Sequence, residues 1–199
     1  MRDDSDWLPT RQSLLSRLRA WDDGESWARF HRDYGRLLFH YARKAGLNAS
    51  KAEDVVQDTV ISVAGELPEF RYDPARGSFK GWLHRIVRRR VADHLRRRPR
   101  EQPMDEVETV ADEGDSDSRW EKLWDAEWAR QLTDRALERV KGEVSPRQFQ
   151  IYSLAVLQEQ PLDTVCRTLG VNAGMVYLAK HRIGRLVRKE LEKLRAEET

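Results

Sequence analysis

Apolar residues recur every three or four positions along most of the chain, the spacing of one face of an α-helix. Leu14, Leu15, Leu18 and Trp21 behind Thr10 predict a capped helix over 10–21, broken by Asp22-Asp23-Gly24. Trp27, Phe30, Tyr34, Leu37, Leu38, Tyr41 and Ala42 predict a strongly amphipathic helix ending near Gly46. Ser50-Lys51-Ala52-Glu53 reads as a capping box for the next helix. That helix carries the stripe Val56, Val60, Val63 and Leu67, and Pro68 stops it. Turn residues mark a loop from about Pro68 to Gly77, and Ser78 can cap a long helix to about Arg98. Trp120, Trp124, Trp128, Leu132, Ala136 and Val140 recur every four residues and predict another core-facing helix. Ser145-Pro146 opens a helix through Leu157, with Phe149, Tyr152 and Val156 inward. A short helix from Leu162 to Thr168, a tight turn at Leu169-Gly170-Val171 and a last long helix capped by Asn172 follow. No segment alternates in the manner of a strand. The expected fold is all-α.

Composition divides these helices into two groups. Residues 100–118 hold acidic clusters, one proline and small polar residues, and 104–118 contain no basic or aromatic residue. This is linker composition. The expected layout is two small helical domains, an N-terminal bundle at 1–99 and a helix-turn-helix domain at 119–199, joined by an acidic linker at 100–118. A length of 199 residues suits one or two domains. No apolar run approaches the ~18 residues of a membrane span, and the acidic start Met1-Arg2-Asp3-Asp4 is not a secretory signal. The single Cys166 excludes an intrachain disulfide and suits a reducing compartment. The expectation is a soluble, cytoplasmic protein in which Cys166 is a small buried residue.

The formal charge of +2 conceals segregation. Residues 71–100 carry eleven basic against two acidic residues, a net of +9. Residues 101–127 carry eleven acidic against two basic, a net of −9, and residues 139–195 carry eleven basic against five acidic, a net of +6. Two basic blocks flank an acidic one, which points to a polyanionic partner.

Enzyme signatures are missing. No phosphate-binding loop, dinucleotide fingerprint, zinc-protease helix or nucleophile elbow occurs. One Cys and five His have no metal-ligand spacing. The expectation is a non-enzyme with no cofactor and no metal. Three features remain. Asp54, Gln57 and Asp58 share one helix face, a docking surface suited to a basic partner helix. On the helix from Ser78, Arg85, Arg89 and Arg96 share a face with Arg88 beside them and Trp82 at its border. Cations with an adjoining aromatic suit single-stranded nucleic acid. The segment 162–185 has helix-turn-helix spacing. Val165, Leu169, Val171 and Val176 would hold its helices together, presenting Asn172, Ala173, Gly174, Tyr177 and Lys180 outward. Lys180, Arg182, Arg185 and Arg188 could meet phosphates.

With these residues in place, the chain resembles bacterial RNA polymerase sigma factors. Ala52-Glu53-Asp54-Val55-Val56-Gln57-Asp58-Thr59 is similar to their segment that binds the clamp helices of core polymerase. Phe70-Arg71-Tyr72-Asp73, Gly77 through Leu83, and Ile86 to Arg98 resemble the adjoining promoter-melting segment. Ser145-Pro146-Arg147-Gln148, Leu169-Gly170-Val171 and His181-Arg182 resemble the promoter-reading domain. Two domains without a large central one resemble the extracytoplasmic-function (ECF) group.

The resemblance implies a function: to bind core RNA polymerase, recognise promoter DNA and promote its melting. Asp54, Gln57 and Asp58 would contact core polymerase. Arg71, Ser78, Lys80, Trp82, Arg85, Arg88 and Arg89 would meet the minus-ten element as single strand. Asn172, Ala173, Gly174, Tyr177, Lys180 and Arg182 would meet the minus-thirty-five element as duplex. It also implies an anti-sigma partner, because many ECF relatives are held by one. Arg89 and Met175 stand where the family often has Asn and Thr, so no promoter sequence carries over. The alternative is a free-standing helix-turn-helix regulator.

Overall fold

The computed structural model describes residues 16–19, 23–70, 79–97 and 116–196. Most of the expected helix 10–21 therefore lies outside the described residues; within it, 16–18 are helical and Leu18 is buried. The helices are α1 (Gly24–Lys44), α2 (Ala49–Glu66), α3 (Phe79–Arg96), α4 (Ser116–Glu143), α5 (Pro146–Tyr152), α6 (Leu162–Leu169) and α7 (Ala173–Ala196). A π-helical turn, Ser153–Leu157, follows α5. Among the described residues there is no strand, and the fold is all-α. The chain forms two compact units, the first reaching to Trp128 and the second spanning Ala129–Ala196.

In the first unit, α1 starts at Asp23, whose carboxylate accepts from the Ser26 N–H at 3.0 Å and the Ser26 hydroxyl at 2.7 Å. The helix buries Phe30, Tyr34, Leu37, Leu38, Tyr41 and Ala42, the face its periodicity predicts. It ends at a turn where Gly46 takes φ 97°, a conformation that favours glycine. The cap of α2 is Asn48, not Ser50. Asn48 has extended backbone and accepts from the Lys51 N–H at 2.9 Å, whereas Ser50 is already helical. The buried face of α2 is Ala52, Val55, Val56, Thr59, Val63 and Ala64. Val60, expected in the buried stripe, is half-exposed.

The first part of α4 completes this unit. Trp120, Trp124 and Trp128 are all buried. Trp124 meets Tyr41 edge-on at 5.2 Å and stacks on the His84 ring at 5.2 Å, while Trp128 stacks on Tyr34 at 6.1 Å. These tryptophans were expected to serve the second domain. The structure places the division after Trp128, within a continuous helix, rather than at 119. A four-residue period shows which side of a helix is buried but not which neighbour it is buried against.

The second unit is a helix-turn-helix with supporting helices. Ser145 caps α5, accepting from the Gln148 N–H at 3.3 Å, with Pro146 in the first turn. The α-helix stops at Tyr152 rather than Leu157, because the backbone widens into the π turn. Ile151 and Tyr152 become the buried pair, and Phe149 and Val156 are only half-buried. Gly170 ends α6 in the left-handed conformation, φ 61° and ψ 41°, and its N–H donates to the Cys166 carbonyl. Ile151, Val165, Val171, Val176 and Ala179 form the core between the helices, with Leu162, Cys166 and Leu169 packed against it. At the far end of α7, Glu190 is buried between Arg139, at 3.3 Å, and Lys193. Burial opposes its charge, but the hydrogen bonds from Lys193 and Arg139 hold its carboxyl below the ordinary value.

Candidate nucleic-acid and polymerase interfaces

The face of α2 carries Asp54, Gln57 and Asp58 as the sequence predicts, but the three are not equivalent. Asp54 receives Lys51 Nζ at 3.0 Å, and Gln57 is exposed. Asp58 bonds His94 Nε2 on α3 at 2.9 Å, so it also ties two helices together. A second tie lies beside it. Arg90 Nε donates to Ser62 Oγ at 2.8 Å, which explains a basic residue on the apolar side of α3. Ile61, four residues after Gln57, is 64% exposed and extends this face. Its position off the buried stripe of α2 is the signal that sequence reading missed.

Within the candidate minus-ten face, Arg71 and Ser78 lie outside the described residues. Arg85 is exposed. The other cations have acidic neighbours. Lys80 Nζ lies 2.5 Å from Asp125 and 6.0 Å from the centre of the Trp128 ring. Arg88 pairs with Asp117, and Arg89 pairs with Glu66. On α1, Lys44 lies 2.5 Å from the buried Glu127. The acidic start of α4 thus neutralises part of the basic surface of the same unit. Trp82 corrects an expectation. It is 7% exposed, with its ring 4.3 Å from Phe70 and 5.6 Å from Phe79. Core packing uses its faces, so it is not an open stacking platform here.

Beneath this surface His84 is buried, its Nε2 3.0 Å from the Tyr41 hydroxyl and its ring flat against Trp124. Burial, with the charge of Arg88 adding to it, pushes the His84 pKa down to about 4. Burial also pushes the Tyr41 hydroxyl above its ordinary value. Both groups are neutral near pH 7.

At the start of α7, Asn172 caps the helix, its Oδ1 accepting from the Met175 N–H at 2.9 Å. A Cβ on Gly174 would meet that same oxygen at 3.3 Å, tighter than an ordinary contact. Ala173, Gly174, Lys180 and Arg182 are exposed, and Tyr177 is 61% exposed. Arg147 Nη2 donates to the Leu169 carbonyl at 2.8 Å, which braces the turn. Leu178, 71% exposed, belongs to the same surface and was not among the expected residues.

Comparison with known proteins bears on this arrangement. Residues 30–101, from α1 through α3, match the family model of sigma-70 region 2. The chain is 32% identical over 102 residues to the ECF RNA polymerase sigma factor SigE of Mycolicibacterium smegmatis, a match covering 49% of this chain and 38% of that one. It is 37% identical over 83 residues to SigM of Mycobacterium tuberculosis, covering 41% of each. With SigF of Caulobacter vibrioides the identity is 29% over 150 residues, covering 74% of each. The first two matches span about two-fifths of those relatives' length. Two solved structures also align. The RsbN–BldN complex covers 88% of this chain and 97% of the other at 19% identity, with a TM-score of 0.36. CnrH in complex with the cytosolic domain of CnrY covers 96% and 100% at 20% identity, with a TM-score of 0.38. Scores this low carry no argument. The sequence matches carry more: residues 30–101 are similar to sigma-70 region 2, and the relatives that the chain resembles are sigma factors. All three of those relatives are ECF sigma factors. No helix among the described residues is long and apolar enough to cross a membrane.

Proposed function

We propose that this chain directs core RNA polymerase to promoters, recognises minus-ten and minus-thirty-five elements, and promotes melting. The observation that carries this reading is the presence, in one chain, of a sigma-70 region 2 match and a helix-turn-helix with an exposed basic second helix. In this reading the α2 face of Asp54, Gln57 and Asp58 docks the clamp helices of the polymerase. Lys80, Arg85, Arg88 and Arg89 neutralise phosphates of the opened strand together with Arg71, and the Ser78 hydroxyl donates a hydrogen bond to one. Asn172 through Arg182 enter the major groove of duplex DNA. Phosphate contacts supply most of the affinity and base edges the specificity. The domain plan is an N-terminal region-2-like bundle and a C-terminal helix-turn-helix domain, with the acidic stretch between them. An anti-sigma partner is part of the same proposal and rests on the resemblance to the family.

Run-off transcription from a genomic promoter library with core polymerase tests the reading. Initiation that requires the chain supports it; no chain-dependent initiation on any fragment overturns it. Gln57→Ala with Asp54→Ala is the informative variant. It should weaken polymerase binding about tenfold while leaving the helix–helix tie of Asp58 in place.

A further inference from the structure

The described residues hold five large apolar side chains that are strongly exposed, and three of them fall within four residues of α7. Met175 is 43% exposed, Tyr177 61% and Leu178 71%. A single exposed apolar residue needs no explanation. Three at the start of the second helix of a helix-turn-helix are a different matter, because this is where base edges are read.

The helical period places Leu178 within that surface. Val176, Ala179, Ile183 and Val187 are buried and define the inner side of α7. At 3.6 residues per turn, the positions opposite them are Gly174, Leu178, His181 and Arg185, all exposed. Leu178 therefore stands at the centre of the outward face. Gly174 precedes it by one turn, and His181 and Arg185 follow. Arg182, one turn after Leu178, adds charge at the flank, whereas Lys180, though exposed, lies nearer the buried side. Among the described residues, Lys180, Arg182 and Arg185 make no ion pair. A leucine framed by cations fits a polyanion that also presents an apolar group at the depth of a groove. Duplex DNA does so: the C5-methyl of thymine projects into the major groove and is read by apolar contact.

We propose that Leu178 is a specificity-determining residue, reading the methyl group of a thymine in the duplex element bound by α7. This rests on the promoter-reading role proposed above and adds to it the base chemistry and the residue. Gly174 would let the groove edge come close one turn earlier, and Arg182 and Arg185 would hold the flanking phosphates. The leucine supplies discrimination without a hydrogen bond, so it should prefer thymine over cytosine and over uracil.

The test removes only the methyl group. The full chain with core polymerase selects duplexes from a random-sequence library. Each thymine of the enriched upstream duplex is then replaced in turn by deoxyuridine. Affinities are measured for the unaltered chain and for Leu178→Ala. At one or two positions, uracil should weaken the unaltered chain about fourfold, the effect of exposing roughly one methyl group. Leu178→Ala should bind the thymine duplex with a similar loss and show no response to uracil at those positions. Leu178 is exposed, so thermal unfolding of the variant should match that of the unaltered chain. A Leu178→Ala chain that responds to uracil as the unaltered chain does overturns the inference and leaves this face to a protein partner. Indifference of the unaltered chain to every thymine methyl also overturns it. If the chain enriches no upstream sequence with polymerase, the promoter-reading role itself fails, a result separate from either of these.

Discussion

The two basic surfaces differ in how their charge is held. On α3, Lys80 and Arg88 face Asp125 and Asp117 of α4, and Arg89 faces Glu66. On α7, Lys180, Arg182 and Arg185 make no such pairs among the described residues. Under the proposed function, the first surface would exchange carboxylates for phosphates on binding a strand, whereas the second would meet phosphates with no such exchange. Similar block charges, +9 and +6, therefore describe two different electrostatic states. The cores differ as well. The first unit is built on aromatic contacts around Tyr41 and Trp124, the second on small aliphatic side chains around Val165 and Val176.

The largest expected effect breaks the aromatic core alone. Trp124→Ala should cost about 3–5 kcal/mol, the usual loss for a buried aromatic. Hydrogen exchange should show α1 and α3 losing protection while α6 and α7 keep theirs. Equal loss in both would mean that the division after Trp128 has no energetic meaning.

A smaller effect concerns protonation. His84 is held neutral, with its folded pKa below its ordinary value, so the folded state binds this proton more weakly than the unfolded chain. The stabilisation is complete above about pH 6.5 and is lost as pH falls towards about 4, on the order of 3 kcal/mol in total. Urea unfolding at pH 7 and pH 4.5 should show a steeper loss for the native sequence than for His84→Gln. Carboxylates titrate equally in both chains, so the difference isolates the histidine. The second unit should contribute nothing to it.

The smallest effect sharpens the electrostatic contrast. Asp117→Asn with Asp125→Asn removes two exposed pairs, and exposed pairs are weak. Affinity for single-stranded DNA at low salt should rise about two- to fivefold, with a steeper salt dependence. The same substitutions should leave duplex binding by α7 unchanged.

Periodicity carried the helices because a residue's side of a helix depends only on local geometry. The buried face of α1 follows from it, and so does the turn at Gly170, whose left-handed backbone suits glycine. The sharing of faces by Asp54, Gln57 and Asp58, and by Arg85 and Arg89, was legible for the same reason. Other features depend on partners distant in the chain. Trp82 was expected at an open basic face and is instead covered by Phe70, twelve residues earlier. Asp58 was expected to be purely a docking residue and is bonded to His94. The tryptophans of α4 were assigned to the wrong side of the division because their period is the same whichever core they enter.

From the order of residues alone came the all-α class, the helix-turn-helix and the family resemblance, all of which rest on spacing within a few turns. The fold added which cations are already paired and which aromatics are covered. Those depend on contacts between helices far apart in sequence, where burial and charge neutralisation are settled by packing rather than by spacing.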